Sequence, residues 1–279
     1  MRFYSIFMFI SGFICYNGYM ADFVLIRKSR NIASSMVHIL MNLLLGVSVV
    51  LITVLSGSPL IGLLMILISK WRIFAVRSRF LWLNIKSNLV DLIVGVSVVL
   101  LAYSAGMNFL LIDFILMAFY PIWLIVIKPL SSESATLAQS LIAVFLGVSA
   151  LTLLSSSLNS LVLVLGSFLI GYAASRHVLS QSTTKDFTFS TLICGMVFSE
   201  IAWLSYSWNI VYSFGTTGIK IPQLALILTI FAFIYNYTRQ AMVTYQDDFR
   251  LKHIIGPMLF GIVLIGVIVL WFSNPIFNI

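Results

Sequence analysis

The chain has 279 residues, of which 61% are hydrophobic and 9% charged, against roughly 45–50% and about 25% in a typical soluble domain. So much apolar surface excludes a soluble fold, and at about 20 residues per membrane crossing the length is taken up by spans, leaving no sizeable extramembrane domain. The net charge of +8 would suggest nucleic acid in a soluble protein, but here the cations sit between apolar segments, so anionic inner-leaflet lipids are the expected partner and nucleic acid is not.

Residues Phe3–Ala21 are apolar enough to span, although Asn17 and Asp22 weaken the segment and no small-residue cleavage site follows it. A tenth helix, an uncleaved signal-like anchor and an upstream extension all fit, and residues 1–35 are set apart from a single transmembrane domain over 36–279. Nine further apolar segments follow: Met36–Leu55, Pro59–Val76, Leu89–Tyr103, Phe109–Ile127, Ala135–Leu154, Leu158–Ala174, Phe187–Ser207, Ile221–Tyr237 and Ile254–Phe272. The expected fold class is therefore all-α, a polytopic bundle of nine transmembrane helices, or ten if the first segment also crosses. The second segment is the weakest, because its uncharged stretch ends at Ser69. To cross, it must run on to Val76 with Lys70 and Arg72 snorkelling toward headgroups.

Charge placement argues that it does cross. With the residues before Met36 inside, every basic residue from Arg27 onward falls on the inner side except Lys220, as the positive-inside rule expects. A re-entrant second segment would instead move Lys70, Arg72, Arg77, Arg79 and Lys86 outside. The carboxyl terminus, Ser273–Ile279, comes out external. Gly46-Val47-Ser48, Gly95-Val96-Ser97 and Gly147-Val148-Ser149 recur at spacings of 49 and 52 residues, and Gly195 follows 48 residues on. Each opens a helical hairpin of the same orientation, so four repeated hairpins plus a final helix are expected, related about an axis along the membrane normal.

The Gly-Val-Ser triplets lack the strand and second glycine of a nucleophile elbow, and small residues are what let membrane helices approach closely, so they read as packing sites. Intramembrane carboxylates are rarer. Glu200 stands 13 residues beyond Phe187, about 20 Å along the helix and past the bilayer midpoint, where an acid must face protein or water. Trp203 and Ser207 share its side, and the group reads either as lining for a solute or as hydrogen-bonded glue. Asp113, four residues into its segment, completes the candidate polar site, although a solvated helix-end charge is the simpler reading. Asp91 reads as an interfacial partner of a nearby cation, and Lys86 is five residues away. Pro121 and Pro257 are candidate kinks.

His38, His177 and His253 lie near inner helix ends, with Asn42 one turn from His38. Cys15 and Cys194 stand far apart in apolar segments. Neither set has the spacing of a metal site or a disulfide framework, so no metal and no cofactor are expected. In Lys70–Lys86 the cations Lys70, Arg72, Arg77, Arg79 and Lys86 alternate with Trp71, Phe74, Phe80 and Trp82, which reads as an anchor on anionic lipid, with docking of an acidic partner as the alternative.

That stretch, continued through Ser87-Asn88-Leu89-Val90-Asp91-Leu92-Ile93-Val94-Gly95, together with Trp271-Phe272-Ser273-Asn274-Pro275, resembles an uncharacterised family of multi-pass membrane proteins from genome-reduced candidate-phylum bacteria. The resemblance covers about Met36 to Ile279. It implies a bacterial cytoplasmic (inner) membrane, supplies no activity and carries over no functional residue. Two functions remain. A small-solute or ion permease would use Glu200 as its charged element. A non-enzymatic membrane subunit would pack against partner proteins or further copies of itself through its Gly and Ser sites. A lipid-active enzyme ranks below both, because no acid–base or metal constellation is present in the sequence.

Overall fold

The computed structural model describes residues 35–107, 110–155, 159–180, 187–207, 210–214, 217–244 and 252–270, with the side chains of residues 187, 243–244 and 252–253 left aside. The expectations for Phe3–Ala21 and for the carboxyl-terminal Ser273–Ile279 lie outside the described residues. The chain divides into two units, Met1–Leu44 and Leu45–Ile279. The described part of the first is the opening of helix α1 (Ser35–Ser56), where an Asn42 Nδ2–His38 Nδ1 hydrogen bond of 2.8 Å links successive turns.

The second unit holds the rest of α1 and a series of helices: α2 (Pro59–Ser69), α3 (Trp71–Phe74), α4 (Ser78–Ser87), α5 (Leu89–Ala105), α6 (Leu111–Ile122) with a π-helical turn (Trp123–Ile127), α7 (Glu133–Leu154), α8 (Ser160–Leu179), α9 (Phe187–Tyr206), α10 (Gln223–Thr244) and α11 (Lys252–Leu270). Local chemistry sets several ends. Ser58 accepts a hydrogen bond from the Leu60 N–H, with Pro59 in the first turn. Ser132 and Asn159 accept from the Ala135 and Leu161 N–H groups, and Gly106 closes α5 at φ +90°. Each satisfies or ends the unpaired backbone groups of a helix terminus.

A helix stands at each of the nine apolar segments from Met36 onward. Four of them, Ser35–Ser56, Glu133–Leu154, Ser160–Leu179 and Thr188–Tyr206, are long and apolar enough to cross a membrane, and α4 with α5 forms a fifth candidate bent by 63°. α10 is equally long, but Tyr235, Asn236, Arg239 and Gln240 break its apolar run.

The second segment departs from expectation. Its helix stops at Ser69 instead of running on to Val76, because Lys70 turns into the bundle, and a single-turn α3 follows. Between α9 and α10 a short hairpin forms, in which β1 (Val211–Ser213) pairs antiparallel with β2 (Lys220–Pro222).

α7 occupies the middle, packed against α5, α8 and α10, while α8 and α9 form the most extensive helix pair. The recurrent glycines sit at close approaches. Cβ atoms built on Gly147 would meet Ile170 of α8 and Ile93 of α5 at 2.9 and 3.0 Å, and one on Gly195 would meet the Phe168 carbonyl at 3.0 Å. Ser48 and Ser97 donate to the carbonyls of Leu45 and Ile93, which leaves those hydroxyls turned back on their own helices.

The interior is mixed. Val94, Val98, Val144 and Val148 are fully buried, and so are Thr53, Ser140, Ser167, Ser175, Thr191 and Asn236. The exterior is the apolar part: Leu60, Ile68, Leu161, Leu165, Met196, Leu204 and Phe260 are all exposed. Exposed apolar surface on this scale is a liability in water and ordinary against lipid, so the apolar helices and their outward faces fit an integral membrane protein.

Candidate functional site

Among the described residues the strongest electrostatic feature is the buried carboxylate of Asp91. Asp91 lies in the first turn of α5, buried at 6% exposure. Its Oδ2 accepts from the ammonium of Lys70, which caps α2, and from that of Lys128 at 2.7 Å, while Trp123 Nε1–H donates to Oδ1 at 3.1 Å. Three elements that are 21 to 37 residues apart in sequence therefore meet on one carboxylate. Lys70 is buried at 7% exposure, whereas the Lys128 side chain is 43% exposed. With two cations and one anion the node carries a net positive charge, directed outward through Lys128.

The π-turn makes this geometry. Pro121 has no N–H to offer the helix, and the backbone responds with a wider turn in which the Lys128 N–H donates to the Trp123 carbonyl at 2.8 Å. Five residues apart, the indole and the ammonium reach the same carboxylate. Alongside, Gln139 of α7 donates to the carbonyls of Ile127 and Leu130 and bonds the His177 ring of α8. The turn is thus tied to three helices.

The remaining residues singled out from sequence are dispersed. Asp113 is fully buried instead of solvated: Oδ2 accepts from the Leu110 N–H at 2.9 Å, capping α6, and Oδ1 has no partner among the described residues. Asp91 pairs with distant lysines and not with Lys86, whose ammonium lies 4.9 Å from the Trp82 ring centroid. Lys70 leaves the expected lipid-facing row. Arg72, Arg77 and Arg79 stay exposed on α3, α4 and the link between them, with Trp71, Phe74, Phe80 and Trp82 exposed among them. This elbow has the composition of an interfacial segment, with aromatic rings and snorkelling cations side by side.

Glu200 is exposed on α9, together with Met196, Trp203 and Ser207. It lines neither of two cavities, one of about 500 Å³ among α5, α6, α7, α10 and β2, the other of about 170 Å³ among α9, α10 and α11. Glu200 and Asp113 are therefore not parts of one site: the first faces out of the bundle and the second is sealed within it.

Among the described residues no three His, Cys, Asp or Glu side chains gather as a metal ion would require. Sequence reasoning missed the Asp91 node as a unit, although a signal was present. An aspartate two residues into an apolar run must find a cation, and Lys70 and Lys128 both end segments assigned to the same side. No family model, no curated protein and no solved structure matches this chain.

Proposed function

We propose that this protein is a non-enzymatic subunit of a membrane assembly, held in a bacterial inner membrane by nine helices, or ten if Phe3–Ala21 also crosses, and joined to a partner's transmembrane helix through the exposed face of α9. The observation that carries the reading is the outward position of Glu200. At about 20 Å along a 30 Å helix, an acid facing hydrocarbon carries a penalty of several kcal/mol unless a donor meets it. Phe189, Met196, Trp203 and Leu204 supply apolar surface around it, so the complementary helix is apolar with one hydrogen-bond donor at the depth of Glu200. The permease reading has less support, because Glu200 lines neither cavity.

The test places a photo-crosslinking residue at Met196 or Trp203 in cells. Cross-links to another polypeptide, or to a second copy, are expected at both positions; links confined to residues 1–34 of the same chain would overturn the reading. Glu200→Gln, which keeps a hydrogen-bonding amide, should assemble normally. Glu200→Ala should weaken the complex by about 1 kcal/mol, roughly fivefold. A transport site predicts instead that the Gln variant, though folded and assembled, has lost activity.

The arrangement across the membrane is part of the same proposal: Lys70–Lys86 cytoplasmic, the Lys220 hairpin and Ile279 external, and the four hairpins as repeats. Supporting it, Gly57 at the start of α2 meets Met107 beyond the end of α5, while Lys70 at the other end of α2 meets Asp91 at the start of α5. α2 therefore runs antiparallel beside α5 along its eleven residues, about 16 Å, which supports an out-to-in course for it with Lys70 at its inner end. Membrane-impermeant thiol reagents applied to intact cells should label Phe214→Cys and spare Arg77→Cys. Labelling of Arg77→Cys would overturn the topology.

A further inference from the structure

The larger cavity has a composition that the subunit reading does not use. Its walls are Leu101 of α5, Phe119 of α6, Phe145 of α7 and their apolar neighbours, and it encloses about 500 Å³, within the range of about 300–1,000 Å³ that small-molecule sites occupy. Along α7 the lining runs from Leu141 to Leu153, twelve residues or about 18 Å, close to the roughly 15 Å of one leaflet of hydrocarbon.

Four polar side chains break the apolar wall, of which Ser104 and Thr229 turn their hydroxyls back on the carbonyls of Leu101 and Ala225. Ser149 is 4% exposed, and its Oγ has no hydrogen-bond partner among the described residues. Lys220 of β2 stands at the end beside Gly218 and Ser104, exposed and with no ion pair among the described residues.

We infer that this groove holds one acyl chain of an anionic phospholipid, with the headgroup phosphate on the Lys220 ammonium. An apolar slot of this length does not hold water, because water there would find too few polar partners. In a bilayer the available filler is a lipid chain. The charge at the mouth selects among headgroups: a phosphate of net negative charge gains a contact with Lys220 that a zwitterionic headgroup, carrying its own cation, largely forgoes. The backbone at Lys220 is held by Gln223 at the start of α10, whose N–H donates to the Ile210 carbonyl at 2.9 Å and whose side chain donates to the Ile268 carbonyl of α11 at 3.0 Å, so the lysine stem starts from a fixed point at the end of the slot.

The full chain, purified in a non-ionic detergent, is titrated with phosphatidylglycerol and with phosphatidylcholine of the same acyl length and followed by native mass spectrometry. One lipid per chain is expected at saturation, with phosphatidylglycerol held about fivefold more tightly, the ratio for a single lysine contact of about 1 kcal/mol. Lys220→Gln, at an exposed position, should bring the ratio to about one without loss of fold. Ser149→Phe, which fills the slot, should remove the one-per-chain site for both lipids; should that variant not fold, Thr229→Phe fills it from α10. Equal affinity for the two lipids in the unaltered protein would overturn the proposal. So would a preference that survives Lys220→Gln, or a site that survives filling of the slot.

Discussion

Replacing Asp91 by asparagine is expected to destabilise the protein by about 3–5 kcal/mol, as when one partner of a buried ion pair is removed and the other charge remains. The amide keeps the size of the side chain and can still accept from Trp123. It leaves the Lys70 ammonium buried at 7% exposure, with Lys128 as a like-charged neighbour on the same oxygen. The two lysines should not respond alike. Lys128→Met removes a contact whose ammonium is already wetted and should cost at most about 1 kcal/mol. Lys70→Met in the Asp91→Asn background should recover most of the loss, since replacing both members of a buried pair by uncharged groups is often neutral or better. The measurement is the unfolding midpoint of the four proteins in one detergent. An Asp91→Asn protein as stable as the original, or no recovery in the double variant, would mean that the node does not hold α2, α5 and α6 together.

Gly46→Leu should cost more than the usual range of about 1–3 kcal/mol for overpacking. A Cβ there would stand 2.5 Å from Pro121 Cγ and 2.8 Å from the Pro121 nitrogen, and neither the ring nor the backbone can swing aside as a flexible side chain would. Gly266 supplies the control, because its Cβ would meet nothing within 4 Å. Gly266→Ala should be neutral, or stabilise by up to about 1 kcal/mol through helix propensity. Equal effects at the two glycines would show that the contact between α1 and α6 is unimportant to stability.

Much of the bundle was legible in the sequence, and the reason is physical. Long apolar runs between charged or glycine-containing turns have few solutions other than helices, and α5, α6 with its π-turn, α7, α9 and α11 lie within a few residues of the expected segments, while α8 and α10 run on past Ala174 and Tyr237 to Leu179 and Thr244. What could not be read was azimuth. α9 has apolar residues on every side, so nothing in Phe187–Tyr206 says which face meets α8, and Glu200 was placed in depth but not in direction. The same blindness hid the partners of Asp91: proximity in sequence favoured Lys86, whereas helix packing brought Lys70 and Lys128. Asp113 illustrates the converse: a shallow position in the chain suggests exposure, whereas the folded side chain is fully buried and caps its own helix through the Leu110 N–H.

The wide turn from Trp123 to Ile127 makes the chain asymmetric toward changes in its own length. It accommodates one residue more than an ordinary α-turn would between the indole and the lysine. Loss of a residue from Leu124–Val126 is absorbed by reversion to the narrower helix, which leaves Trp123 and the lysine four apart and still on one face. Gain of a residue has no such outlet and turns the lysine by about 100° away from its carboxylate. Evolutionary drift in this segment therefore has one open direction, toward shortening.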